Sequence, residues 1–166
     1  SVVMCKYFSE IKRFVVVCEG LEYEAQIFNE SFHHYSTLNP SQTSAVTGAH
    51  KADKDDPAVL AANQMAKIRV LDVIYLDGRD LWAYAASDHT IGIVKEQSRM
   101  GGKRISYLTF NKIYSKYLNE RLCWSPKHKI LCSVATNRII YGWDIDSGTS
   151  LWHVSRHADI ITDFIA

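Results

Sequence analysis

Hydrophobic positions along the chain fall in short runs of strand length, broken by polar turns. Residues 2–8, 14–18 and 25–28 are rich in β-branched and aromatic side chains, and residues 32–38 can add a fourth run. Such side chains suit a pleated, half-buried surface. Runs this short between turn signals predict antiparallel strands. The pattern resumes at 68–76, where apolar and polar positions partly alternate, and Asp77-Gly78 supplies a strong hairpin turn. Runs at 81–86, 90–94 and 105–110 follow, then 122–124, 130–134, 139–144 and 150–154. The predicted fold class is all-β.

Residues 39–66 differ in kind. Asn39 to Ser44 is polar and turn-like, and 51–56 is a mixed charge run. Asp56-Pro57 then precedes an alanine-rich stretch to Met65. Asp at an N-cap and Pro at the first helical position waste no backbone donor, so a short helix is expected at the end of this insertion.

Aligned on Trp143-Asp144, the strand runs repeat. Cys123-Trp124-Ser125-Pro126, Leu131-Cys132-Ser133, Asn137, Ile140 and Trp143-Asp144 resemble the core of a WD40 repeat, and Asp146-Ser147-Gly148 resembles the turn that follows it. His157 and the residues to Phe164 look like the opening of a next repeat, with Arg156 where the family has glycine. Ser87-Asp88-His89-Thr90-Ile91 matches the corresponding run of a second copy, in which Val94-Lys95 replaces Trp-Asp. A third, weaker copy has Phe28-Asn29 in that slot and Glu22 in the Asp slot. The slots at Phe28, Val94 and Trp143 lie 66 and 49 residues apart, against a family period of ~40–45. The insertion 39–66 and a basic loop near 95–120 account for the excess.

The resemblance implies a WD40 β-propeller: about three four-stranded antiparallel blades plus the first strand of a further blade, part of a longer propeller. The segments are 1–38, a divergent blade; 39–66, the insertion; 67–116, a blade with the basic loop; 117–156, a blade; and 157–166, the start of the next. A closed ring takes about four to eight blades. The family's Trp–Ser/Thr–His–Asp hydrogen-bond network is degraded here. The implied structural positions are Asp88, Ser133, Asn137, Trp143, Asp144 and His157, and packing is expected to hold the blades instead.

Composition adds limits. The chain has 166 residues, 47% hydrophobic and 22% charged, close to the globular average. No apolar run approaches the ~18 residues of a membrane span, so no membrane partner is expected. Cys5, Cys18, Cys123 and Cys132 form no C-x-x-C pair, which favours reduced, buried thiols in an intracellular protein over a disulfide or zinc framework. The formal charge is +1, but it is unevenly spread. Arg99, Lys103, Arg104, Lys112, Lys116, Arg121, Lys127 and Lys129 meet a single acid, Glu120, with Tyr107, Tyr114, Tyr117 and Trp124 interleaved. Such a mixture is most simply a solvated loop face; as a binding surface it can hold an acidic protein surface or, less readily, RNA.

Catalytic chemistry finds little support. His33-His34 are strand neighbours that point to opposite faces and cannot easily chelate one ion. Asp88 fits a tight turn. Asp53 to Asp56 lacks the glycine and terminal Glu of an EF-hand loop, and Gly101-Gly102-Lys103 lacks the spacing of a phosphate loop. The expectation is a non-enzymatic scaffold with no cofactor and no metal. Its partners are other proteins, some with acidic surfaces, and the rest of its own propeller; Arg99, Lys103, Arg104, Lys112, Lys116 and Arg121 are the candidate contacts. The divergent copies are loosely similar to large multi-repeat WD proteins of the cytoskeleton and cilium, which implies a cytoplasmic or axonemal location. A nucleic-acid-binding module using 99–129 is the competing reading.

Overall fold

A computed structural model describes residues 2–18, 24–40, 68–98 and 105–155. Twelve strands form three separate four-stranded antiparallel sheets. Blade 1 holds β1 (Val2–Phe8), β2 (Arg13–Cys18), β3 (Ala25–Asn29) and β4 (His34–Leu38). Blade 2 holds β5 (Val70–Leu76), β6 (Leu81–Ala86), β7 (Thr90–Ser98) and β8 (Ile105–Tyr114). Blade 3 holds β9 (Asn119–Ser125), β10 (Ile130–Ala135), β11 (Ile140–Trp143) and β12 (Ser150–Val154). In each sheet the strands are paired in sequence order, so each blade is a meander. The all-β expectation and the three four-stranded blades agree with this architecture. The expected helix and most of the insertion, and the strand expected after residue 157, lie outside the described residues.

One expectation changes. The excess length of the second repeat is not a basic loop from 95 to 120. β7 runs on to Ser98 and pairs with β8 from Ser98↔Ile105 to Thr90↔Tyr114. Ile105, Tyr107, Leu108, Phe110 and Ile113 have strong strand preference, and a continuous partner in β7 draws them into a ladder.

The core lies between blades rather than within one. Blade 2 is covered on both faces, and all six residues of β6 are buried. Trp82, Tyr84 and Val94 face blade 1, where Val15, Val17, Ile27 and Leu38 receive them. Ala83, Ala85, Ile91 and Ile93 face blade 3, against Leu122, Trp124, Leu131 and Trp143. Period-2 alternation of large and small side chains in β6 thus sorts the strand between two neighbours. Two glycines make room for rings: Gly92 lies under Tyr84 and Gly142 under Trp152, and a β-carbon at either would overlap the ring.

Candidate interaction surfaces

Any interaction surface on stacked blades depends on what fixes the blades to one another. The strongest single tie is Asp72, in β5 and fully buried. Its Oδ1 accepts from Lys6 Nζ of blade 1 at 2.5 Å and from its neighbour Val73 N at 2.9 Å. Its Oδ2 accepts from Leu122 N of blade 3 at 2.8 Å. One carboxylate therefore touches all three blades. A buried charge is tolerated only when paired and hydrogen-bonded, and Asp72 meets both conditions. The sequence reading missed it. The available signal was an acid inside the apolar run Leu71 to Leu76.

The two interfaces carry further polar ties. Between blades 1 and 2, the Tyr107 and Ser36 hydroxyls are 2.6 Å apart and buried. Glu96 accepts from Trp82 Nε1 at 3.2 Å and from Tyr35 OH at 3.3 Å. The Arg13 guanidinium sits 3.7 Å over the Tyr35 ring. Burial raises the Glu96 carboxyl above its ordinary range, and the Trp82 and Tyr35 hydrogen bonds only partly oppose that. Between blades 2 and 3, Trp124 Nε1 donates to the Asp77 carbonyl at 2.9 Å. Arg79 grips Asp146 with two nitrogens, at 2.6 and 3.1 Å. Asn111 Nδ2 reaches the carbonyls of Ile145 and Asp146 at 2.9 and 3.1 Å.

The six repeat positions take distinct places. Trp143 Nε1 donates to Ser133 Oγ at 2.8 Å, and Ser133 Oγ donates to Asn119 Oδ1 at 2.7 Å. Blade 3 thus keeps a three-member network, with Asn119 completing it. The expectation that packing alone holds this blade is corrected, because the acceptor comes from the start of β9, a segment without a motif. Asn137 stays outside that network: its Oδ1 accepts from Ile139 N at 3.2 Å and its Nδ2 donates to Tyr141 OH at 3.0 Å. Asp88 Oδ1 accepts from Thr90 Oγ1 at 2.5 Å and Thr90 N at 3.2 Å. Asp144 accepts from Ser147 Oγ at 2.6 Å, and that bond holds its carboxyl below the usual range. His157 lies outside the described residues.

The basic stretch does not form one surface. Arg99, Lys103 and Arg104 lie outside the described residues. Lys112 in β8, Lys116 in the β8–β9 link and Arg121 early in β9 stand at the end of the blades where the chain crosses from blade 2 to blade 3. Lys127 and Lys129 occupy the β9–β10 turn, at the far end, because β9 runs the length of the blade between them. Antiparallel connectivity separates what is contiguous in sequence.

Little here points to catalysis or metal binding. His33 and His34 are exposed, and His34 Nε2 lies 3.0 Å from Thr37 Oγ1. Among the described residues, no group of three or more His, Cys, Asp or Glu side chains is placed to hold a metal ion. Cys123 and Cys132 are cross-strand partners with no disulfide between them; burial pushes the Cys132 thiol up to about 11.

Stacked four-stranded meanders sharing interblade cores define a β-propeller, here a partial one, with blades built as in WD40-repeat proteins. Solved structures agree. The chain is similar to the β-propeller domain of Cps50 (Swd1) from Myceliophteria thermophila, with a TM-score of 0.61 and 8% identity over 95% of this chain and 42% of that one. It is also similar to a chain in the crystal structure of the mitotic checkpoint complex, with a TM-score of 0.62 and 11% identity over 98% of this chain and 39% of that one. The chain spans about two-fifths of the length of these structures. At such identities the likeness is one of fold. No family model matches the sequence, and no curated protein sequence matches it.

Proposed function

We propose that the chain is a non-catalytic propeller segment that scaffolds protein–protein contacts in a larger assembly, the remainder of its own propeller included. The observation that carries this reading is Asp72, which ties three blades into one unit, a fixed frame whose described turns are largely exposed. Propellers use such frames to present variable turns. The divergent repeats favour a cytoskeletal or ciliary assembly in the cytoplasm, and the cations Lys112, Lys116 and Arg121 favour partners with acidic surfaces.

The test is cross-linking mass spectrometry on the tagged protein purified from cells. Cross-links from turn residues to other cytoskeletal or ciliary proteins are expected. Recovery as a free chain, with cross-links only to itself, would defeat the scaffold reading. Partners drawn from an unrelated compartment would defeat the proposed location alone.

A further inference from the structure

We propose that the crossover end of blades 2 and 3 docks an extended acidic peptide segment of a protein partner. The proposal rests on the scaffold reading and names where that scaffold binds and what chemistry it selects. Arg69, Lys116, Arg121 and Arg138 reach this end from separate segments, ahead of β5, in the β8–β9 link, in β9 and in the β10–β11 turn, and all are exposed. Arg69 and Arg138 stand outside the basic stretch of the sequence; the fold brings them to it.

Backbone hydrogen bonds stitch these segments into a continuous rim. Ser87 N donates to the Arg69 carbonyl at 2.9 Å, Ser115 N to the His89 carbonyl at 3.0 Å, and Thr136 N to the Leu118 carbonyl at 2.8 Å. The cations are therefore held on coupled backbone rather than on independent loops, which lowers the ordering cost of binding. Asp88 at this end is already engaged by Thr90 and lies 3.6 Å from Lys112 Nζ. Glu120 is the other exposed acid here among the described residues of blades 2 and 3; Asp72, also near this end, is buried and paired with Lys6. Tyr114 is 76% exposed, and its ring lies 5.6 Å from Lys112 Nζ. An exposed tyrosine beside cations offers apolar contact area with a polar tip.

The far end contrasts with this. There Arg79 is bound to Asp146, and Lys127 and Lys129 share the end with Asp77, Asp80 and Asp144. Among the described residues of blades 2 and 3, cations outnumber exposed acids at the crossover end and not at the far end, so charge complementarity favours an acidic partner at the crossover end. A peptide suits it better than a nucleic acid. Asp88 and Glu120 are interleaved with the cations, and a peptide can set neutral residues opposite them, whereas a phosphate backbone carries charge at every step.

Fluorescence anisotropy of a labelled Glu-rich peptide, titrated with the full chain, tests the proposal. Saturable binding that weakens with salt is expected, with none for the same peptide carrying Gln in place of Glu. Lys116→Ala/Arg121→Ala/Arg138→Ala should weaken it about tenfold. Lys127→Ala/Lys129→Ala at the far end should leave it unchanged. Thermal melts establish that both variants fold. Absence of peptide binding, equal losses in the two variants, or tighter binding of labelled oligouridine that the triple variant abolishes would each overturn the proposal. If the peptide fails while cellular cross-links fall on other turns, this docking surface is wrong and the scaffold reading stands.

Discussion

Toward blade 1, blade 2 presents large rings with polar tips, Trp82, Tyr84 and Tyr107; toward blade 3 it presents Ala83, Ala85, Ile91 and Ile93. The rings bring donors that must be satisfied once buried, and so Glu96 and Ser36 are drawn into the first interface. The aliphatic side makes no such demand. There the large rings belong to blade 3, as Trp124 and Trp143; the Trp124 nitrogen reaches the Asp77 carbonyl in a turn, and the Trp143 nitrogen reaches the buried Ser133 hydroxyl. One interface thus has its polar-tipped rings on blade 2 and is sensitive to protonation. The other is aliphatic on the blade 2 side, carries its buried polar chain on blade 3 through Trp143, Ser133 and Asn119, and is clamped at its rim by Arg79, Asp146 and Asn111. Two halves of the same stack can reach similar burial by different chemistry, and they should fail differently.

Asp72 belongs to both interfaces, so removing it should cost most. Asp72→Ala leaves the buried Leu122 amide without its acceptor, at about 1–3 kcal/mol, and also strips the partly exposed Lys6 of its partner, so the total should be about 3 kcal/mol. Denaturant melts should show a loss of that order, and hydrogen exchange should speed up in β1 and β9 together. Faster exchange in one strand alone would show that the carboxylate serves a single interface. Trp143→Phe should cost about 2 kcal/mol, through lost ring volume and a broken chain to Ser133 and Asn119. Its effect should stay in blade 3; equal loosening of blade 1 would erase the contrast between the interfaces.

Glu96 sharpens the comparison through pH. Its folded-state value is raised above the ordinary 4.5 by burial. The protonated form is therefore the one favoured by folding, so this contribution is full below about pH 4.5 and is lost as pH rises through the folded value. Glu96→Gln should flatten that part of the stability profile and leave the protein no less stable at neutral pH. A steeper profile in the variant would contradict the assignment. Arg79→Ala should have the smallest effect. Asp146 is more than half exposed, and exposed ion pairs contribute about 0–1 kcal/mol. A larger loss on melting would mean that the rim, rather than the packed interior, holds blades 2 and 3.

The strands were legible because each blade repeats β-branched and aromatic runs between turns, and blade 3 was the clearest because Ser125-Pro126 and Trp143-Asp144 keep the repeat pattern. Blade 1 has no such motif; Val15, Val17 and Ile27 pack against rings of blade 2, and Lys6, Ser36 and Tyr35 add polar ties to partners far along the chain. The missed residues share a cause. Asp72, Glu96 and Asn119 act on partners in other strands, 50 residues away for Asp72, 61 for Glu96 and 14 for Asn119, and local pattern carries no information about them. The basic stretch misled for the opposite reason. Its neighbours in sequence are parted by the length of β9, while Arg69 and Arg138, far from it in sequence, stand at the same end as Lys116.

The reach of Asp72 also bears on timing during synthesis. Lys6 precedes it by 66 residues and Leu122 follows it by 50. As the chain emerges, the lysine is already present, whereas the amide that completes the site has yet to be made. At about 5–20 residues per second that delay is roughly 3–10 s. Blade 2 is itself complete only at Tyr114, and the last strand of blade 3 ends at Val154; at the same rate the 40 residues between them take roughly 2–8 s, a stage in which a finished sheet is waiting for its neighbour.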